Sequence, residues 1–378
     1  MSNAPREAQL GTGAGRGHAV ESVAMEGLMR FQVCLGISQS SEDFQYYFNE
    51  QGELRHMITK KPFVYNFHSN EYDRNHKRYQ VLGDLITLHI YELLEKECNL
   101  QRIQFPVDAS DEEPKSSFFM SKELLNMQTS LLVLLQDKGV IRAGQWGQKV
   151  IFHHSLEKGS QIPYIKTAIR DQMSVLVLNP NDNVLEMKEE PPMIVKKEDE
   201  SETNDVVQTP AQKVTFIPKR WSSSPEEHTS YVWDHFISKS EAGHVVFIAH
   251  GYGGLVFLDL LCKKRVEVMK KVSAVAFIDS RHHTMHQARK DPEVQNWIHK
   301  NCRSWVVSFK PLDRSIGAMR KFDCPKVSAG TENYDLAPFN ALQSIFRFLN
   351  RSLKSRRTLP LSSRTILTRS TTRKRPLV

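Results

Sequence analysis

Cysteine is scarce in this chain, and long apolar runs are missing. The five cysteines (Cys34, Cys98, Cys262, Cys302 and Cys324) are odd in number and never form Cys-x-x-Cys. They read as reduced, mostly structural thiols rather than a disulfide frame or a zinc site. No stretch approaches the roughly 18 apolar residues that a spanning helix requires, so no membrane span is expected. The first twenty residues, MSNAPREAQLGTGAGRGHAV, lack the apolar core and cleavage pattern of a secretory signal, so an intracellular protein is expected. Glycine and proline, 18 and 17 of 378 residues, are too few for a collagen-like chain. What is present, 40% hydrophobic and 25% charged residues, is the make-up of a globular protein with one large α/β domain or two smaller ones.

Charge is unevenly placed. Of the 51 basic residues, nine lie in 351–378, which has no acid; the remaining 42 face 43 acids, so a net charge of +8 resolves into a body of −1 and a cationic tail. Residues 1–40, rich in Gly, Ala and Ser, are expected to be disordered. So is the tail 354–378. Between them, residues 41–353 are expected to form one domain. Within it, 186–213 carry eight acids, four lysines and three prolines, the composition of a flexible acidic insertion.

Two short strands around a turn at Gln51-Gly52 are expected in FQYYFNEQGELRHMI, with a further strand ahead of Asn66. VLGDLITLHIYELLEKE repeats apolar residues at helical spacing, predicting a helix from about Tyr79 to Glu97. Five buried-strand runs follow: SLLVLLQ (130–136), SVLVLN (174–179), HVVFIAH (244–250), SAVAFID (273–279) and SWVVSF (304–309). Separated by helical segments, they predict a mainly parallel sheet covered on both faces. Ser224-Pro225-Glu226-Glu227 signals one helix start, and a last amphipathic helix is expected near 338–353.

The third run ends in Ala249-His250-Gly251-Tyr252-Gly253-Gly254 ahead of LVFLDLLCKKRV. Strand, tight small-residue turn and helix is the setting of the α/β-hydrolase nucleophile elbow, yet the nucleophile position falls on Gly251. Glycine tolerates the backbone of such a turn and supplies no reactive oxygen.

ELRHMITKKPFVYNF, RYQVLGDLITLHIYELLEKECNL, VIRAGQW, SPEEHTSYVWDHFI, AHGYGGL and CPKVSAGT closely resemble the Arb-two domain family, the sequence-similarity-172 family of cotranscriptional regulators, over about residues 41–353. The resemblance implies an α/β-hydrolase-like fold and a divergent second paralogue, because the better-known member has Ser at the position of Gly251. The family's glycine-rich HGSG loop, able to offer backbone N–H groups to an oxyanion, here reads Gln136-Asp137-Lys138-Gly139. That puts a carboxylate where negative charge would develop. Chain order places the acid after a late strand, with Asp313 the first choice and Asp279 the second. The base, His in the family, is here Tyr334. A phenol near pKa 10 is about one part in a thousand ionised at pH 7 and makes a poor base.

The catalytic set is therefore expected to be degenerate at Gly251, Asp313, Asp279 and Tyr334, and the chain to be a pseudo-hydrolase with no cofactor. The alternative is a weak ester hydrolase without its serine, using water activated by Asp279 or by the group His282, His283 and His286, with Tyr252 and Ser280 the nearby hydroxyls. No HExxH or completing carboxylate accompanies those histidines, so they read as cleft-mouth residues rather than a zinc site, and His153-His154 carry still less. Trp146, Trp233, Trp297 and Trp305 sit in apolar contexts expected of core or cleft walls. In the tail, Arg373-Lys374-Arg375-Pro376 resembles a nuclear import signal, and Val195-Lys196-Lys197-Glu198 fits a sumoylation pattern at Lys196. The family resemblance implies a nuclear scaffold in small-RNA-linked heterochromatin formation and alternative splicing, with Argonaute, chromatin or splicing factors as partners; a cytoplasmic pool and direct RNA contact stay open.

Overall fold

The computed structural model describes residues 44–122, 130–188, 214–282, 291–317 and 323–357. The expected parallel runs form the middle of an eight-stranded sheet, and each is continuous and apolar because helices cover both of its faces. In chain order the strands are β3 (Leu100–Phe105), β4 (Ser116–Ser121), β5 (Ser130–Leu135), β6 (Met173–Val177), β9 (His244–His250), β10 (Val272–Ile278), β11 (Cys302–Val306) and β12 (Lys326–Ser328). Ahead of them, β1 (Tyr46–Phe48) and β2 (Leu54–His56) make a small hairpin; β7 (Val184–Lys188) and β8 (Val214–Pro218) make another between β6 and β9. The sheet order is β3-β4-β6-β5-β9-β10-β11-β12. Only β4 runs against its neighbours. This is the α/β-hydrolase arrangement, and it puts the ends of β5, β9, β10, β11 and β12 along one edge, where ligands of open α/β sheets bind.

Alternation within the strands divides the core in two. Leu132, Leu134, Val246, Ile248, Ala274 and Ala276 face one side. There they meet α1 (Tyr72–Lys96), α2 (Gln148–His153), α3 (Leu156–Gly159), α4 (Ile162–Arg170) and α9 (Ala337–Arg357). Leu131, Val133, Val245, Phe247, Val275 and Phe277 face the other side. That layer holds α5 (Pro225–Val232), α6 (Gly253–Lys263), α7 (Arg265–Lys271) and α8 (Pro292–Asn301). Ser224 caps α5 by accepting from the Glu227 N–H at 3.1 Å, and the Glu227 carboxylate reaches back to the Ser223 N–H at 2.8 Å.

Several expectations need correction. The strand ahead of Asn66 does not form; a single bridge between Arg55 and Pro62 stands in its place, in a segment where Pro62 has no N–H to extend a ladder. Helix α1 begins at Tyr72, seven residues before the expected start, because its first turns carry polar residues that hide the apolar period. The acidic insertion was expected from residue 186, yet Glu186, Met187 and Lys188 pair with Phe216, Thr215 and Val214. The final helix continues past 353 to Arg357. Lys196 and the tail residues Arg373, Lys374, Arg375 and Pro376 lie outside the described residues, as do Cys34, His283 and His286.

Candidate functional site

Strand β9 ends at His250 and the chain turns sharply into α6 through Gly251, whose φ of +52° lies in the left-handed region that a side chain resists. The Gly251 N–H donates to the Ile278 carbonyl at 3.0 Å, which ties the elbow to the end of β10. Loop 136–139 follows β5 next to it. Asp137 turns its carboxylate directly over the elbow: Oδ1 accepts the Tyr252 N–H at 2.6 Å and the Lys138 N–H at 2.8 Å. Oδ2 accepts the Tyr334 hydroxyl at 2.5 Å. Tyr334 arrives from the loop after β12, so the sequence-predicted loop, elbow and base positions do converge.

They converge to fill space. A Cβ built on Gly251 would stand 2.3 Å from the Asp137 carboxyl carbon and 2.3 Å from the Tyr334 hydroxyl. Atoms that close overlap, so no side chain fits at 251 while this pair is in place. The N–H of the residue after the nucleophile position, one donor of a hydrolase oxyanion hole, is here taken by the chain's own carboxylate. Burial is the first cause that pushes the Tyr334 phenol well above its usual range, and the hydrogen bond and charge of Asp137 add to it. Tyr334 is thus held as a hydrogen-bond donor to Asp137.

The two acid positions separate. Asp313, at φ +68°, turns toward α9, where it accepts from Ser344 Oγ, from Arg347 Nη2 at 2.8 Å and from Trp305 Nε1 at 3.3 Å. Its carboxylate anchors the last helix. Asp279 ends β10 and its Oδ1 accepts the Val307 N–H at 3.0 Å; its charge acts on both His250 and Tyr334. The nearby hydroxyls are also engaged. Tyr252 donates to Glu226 Oε1 at 2.6 Å, which leads the effects pushing its phenol up to about 12. Ser280 Oγ lies against Gly254 and within 3.0 Å of His282 Nδ1. His282 in turn has its Nε2 3.9 Å from the buried Cys324 Sγ. No group of three or more His, Cys, Asp or Glu able to hold a metal ion occurs among the described residues.

His250, which the sequence marked only as the strand end before the elbow, completes the arrangement with Gln136 and Trp146. His250 is buried, stacked on the Tyr334 ring at 4.8 Å and edge-on to Trp146 at 6.0 Å. Burial pushes its imidazole down to about 4 against the opposing pull of Asp137, Asp279 and Asp335. Among the described residues, both of its nitrogens, both amide atoms of the neighbouring Gln136 and the Trp146 indole N–H have no hydrogen-bond partner. The available signal for His250 was positional: Gln136, just past the end of β5, and His250, the last residue of β9, each lie one step beyond the Leu135–Ala249 pair. Trp146, Trp233, Trp297 and Trp305 are all core residues.

The Arb2 domain profile matches residues 37–312. The human putative protein ARB2BP is 48% identical over 92% of this chain and 98% of its own length. The human cotranscriptional regulator ARB2A is 40% identical over 85% of this chain and 82% of its own. The chain belongs to the Arb2 domain family. Among solved structures, the histone deacetylase Clr3 overlaps 92% of this Arb2 chain and 47% of its own at 12% identity, with a TM-score of 0.44. The hydrolase-type fold assignment rests on the strand order itself. Relatives of this Arb2 chain include proteins named cotranscriptional regulators, and the elbow of the fold is here covered by Asp137 and Tyr334. No helix among the described residues is long and apolar enough to cross a membrane.

Proposed function

We propose that this Arb2 protein is a non-catalytic member of its fold, a pseudo-hydrolase that works as an interaction module in cotranscriptional regulation. The observation that carries the reading is the Asp137–Tyr334 pair over Gly251: nucleophile, oxyanion donor and base positions are all altered, and the altered residues bond one another. Loss of a serine nucleophile alone costs on the order of 10⁶ in rate. For a water activated by Asp279, one donor that would stabilise an oxyanion, the Tyr252 N–H, already serves Asp137. The family resemblance extends the reading to the nucleus, with the cationic end of the chain, including Arg373–Pro376, as the import element. It also extends to Argonaute-linked heterochromatin and splicing machinery as partners, with a cytoplasmic pool before import.

The test is turnover of a panel of short- and long-chain acyl esters by the natural chain, beside a triple variant Asp137→Gly, Gly251→Ser, Tyr334→His. The expected result is no turnover above buffer by the natural chain. Turnover that disappears on Asp279→Asn would overturn the reading in favour of a serine-free ester hydrolase. Deleting 358–378 is expected to leave a fluorescent fusion in the cytoplasm, and unchanged nuclear accumulation would remove the import assignment.

A further inference from the structure

Away from the elbow, a groove of about 1130 Å³ runs between the β1–β2 turn, the end of α1, the start of α4 and the first turns of α9. Asp137, Gly251 and Tyr334 take no part in its lining, so what it binds is a separate matter from the chemistry at the elbow. Its walls are apolar where Phe48, Leu93, Leu156, Phe339 and Leu342 line it. Two polar features break that surface. Ser160, only 1% exposed, lines the groove, and its Oγ has no hydrogen-bond partner among the described residues. A buried hydroxyl left unmet is costly, and a main-chain group of a ligand would satisfy it.

The second feature is charge. Glu50 and Glu157 are exposed and line the groove. The Leu156 N–H donates to the Gly52 carbonyl at 2.7 Å, which ties the hairpin turn to the start of α3 and brings the two glutamate-bearing segments side by side. Neither glutamate has an ion-pair partner among the described residues. The other acid of the lining, Glu97, is neutralised by Lys166 at 2.7 Å. The groove therefore combines apolar walls with uncompensated negative charge.

We propose that it docks a segment of a partner protein in which apolar side chains are flanked by lysine or arginine. Burying the apolar side chains supplies the attraction, and the flanking cations meet Glu50 and Glu157 and reject acidic segments. The Ser160 hydroxyl bonds the main chain between them. The volume exceeds the roughly 300–1,000 Å³ of a small-molecule site, which favours a length of chain over a metabolite.

The test measures fluorescence anisotropy of labelled peptides GSKLFKLSGS, GSELFELSGS and GSKSGKSSGS with the full chain. The first is expected to bind roughly tenfold or more tightly than the other two, and its advantage over the acidic peptide to shrink in high salt. A full chain carrying Glu50→Lys and Glu157→Lys, both surface changes, is expected to prefer the acidic peptide. Ser160→Ala is expected to weaken the first peptide about threefold or more while leaving the charge preference intact. With p-benzoyl-phenylalanine in place of its Phe, the first peptide is expected to cross-link to groove residues such as Leu93 or Phe339. No binding of that peptide, equal binding of all three, a preference untouched by the charge reversal, or cross-links to other surfaces would each overturn the proposal.

Discussion

Replacing Gly251 by alanine probes the arrangement over the elbow more sharply than any activity measurement. The new methyl would lie 2.3 Å from the Asp137 carboxyl carbon and from the Tyr334 hydroxyl, so both groups must move. The left-handed backbone at φ +52° costs an alanine about 1 kcal/mol against glycine. Displacing Asp137 breaks hydrogen bonds to the Tyr252 N–H and the Tyr334 hydroxyl. Each such bond to a charged acceptor is worth about 1.5–3 kcal/mol, and relaxation recovers part of the loss. Gly251→Ala alone is therefore expected to destabilise the chain by roughly 3–5 kcal/mol in urea unfolding. Asp137→Gly alone removes the same bonds without the overlap and should cost about 2–3 kcal/mol. The double variant has lost the carboxylate before the methyl arrives. Its total should fall short of the sum of the single effects by about 2 kcal/mol, the signature of two groups competing for one space. If the two effects simply add, Asp137 does not occupy the volume above Gly251 and the reasoning fails.

Acid should unfold the protein through its buried histidines. His250 is held down at about 4 and His228 at about 3, each chiefly by burial. The folded state resists protons that the unfolded chain accepts near pH 6.5, so stability is full above that pH. It then falls by up to about 1.4 kcal/mol per pH unit per histidine as pH drops toward each folded value; urea midpoints at pH 7, 6 and 5 check the slope. Asp313→Ala should cost about 2–3 kcal/mol through the loss of the Arg347, Ser344 and Trp305 contacts, and Asp313→Asn less, since asparagine tolerates positive φ. Equal losses in thermal unfolding would refute the anchoring role. Among the described cysteines, Cys262 is exposed while Cys98, Cys302 and Cys324 are buried, and burial pushes the Cys98 thiol up to about 11 and Cys324 to about 12. Thiol reagents should label Cys262 in the native protein and the other three only on unfolding.

The central sheet was legible because its parallel strands are buried on both faces and leave uninterrupted Val, Ile and Leu runs. Strands β3 and β4 were not, since LQRIQF alternates like a surface segment and SSFFMS begins with two serines, Ser116 donating to Asp182 and Ser117 accepting from Arg102 of β3. At the elbow, reading Gly251, Asp137 and Tyr334 each as a departure captured the changes without their connection. That connection is a matter of volume across 197 residues of chain, from the loop after β5 to the loop after β12. The side chain absent at 251 is replaced by larger groups at 137 and 334, and no local pattern reports such an exchange. The contacts of Asp313 were hidden for a similar reason: its partners Ser344 and Arg347 sit on a helix more than thirty residues on.

The pairing of Lys188 with Val214 holds the two ends of the segment 189–213 side by side outside the main sheet. The entropy of bringing those ends together is borne by five cross-strand pairs of the β7–β8 stem, not by β6 or β9. Doubling the length of such a closed segment costs only about 0.6 kcal/mol. The protein can therefore be lengthened or tagged there, or cut and left as two pieces clasped by one ribbon, without a change reaching β9 and the turn at Gly251.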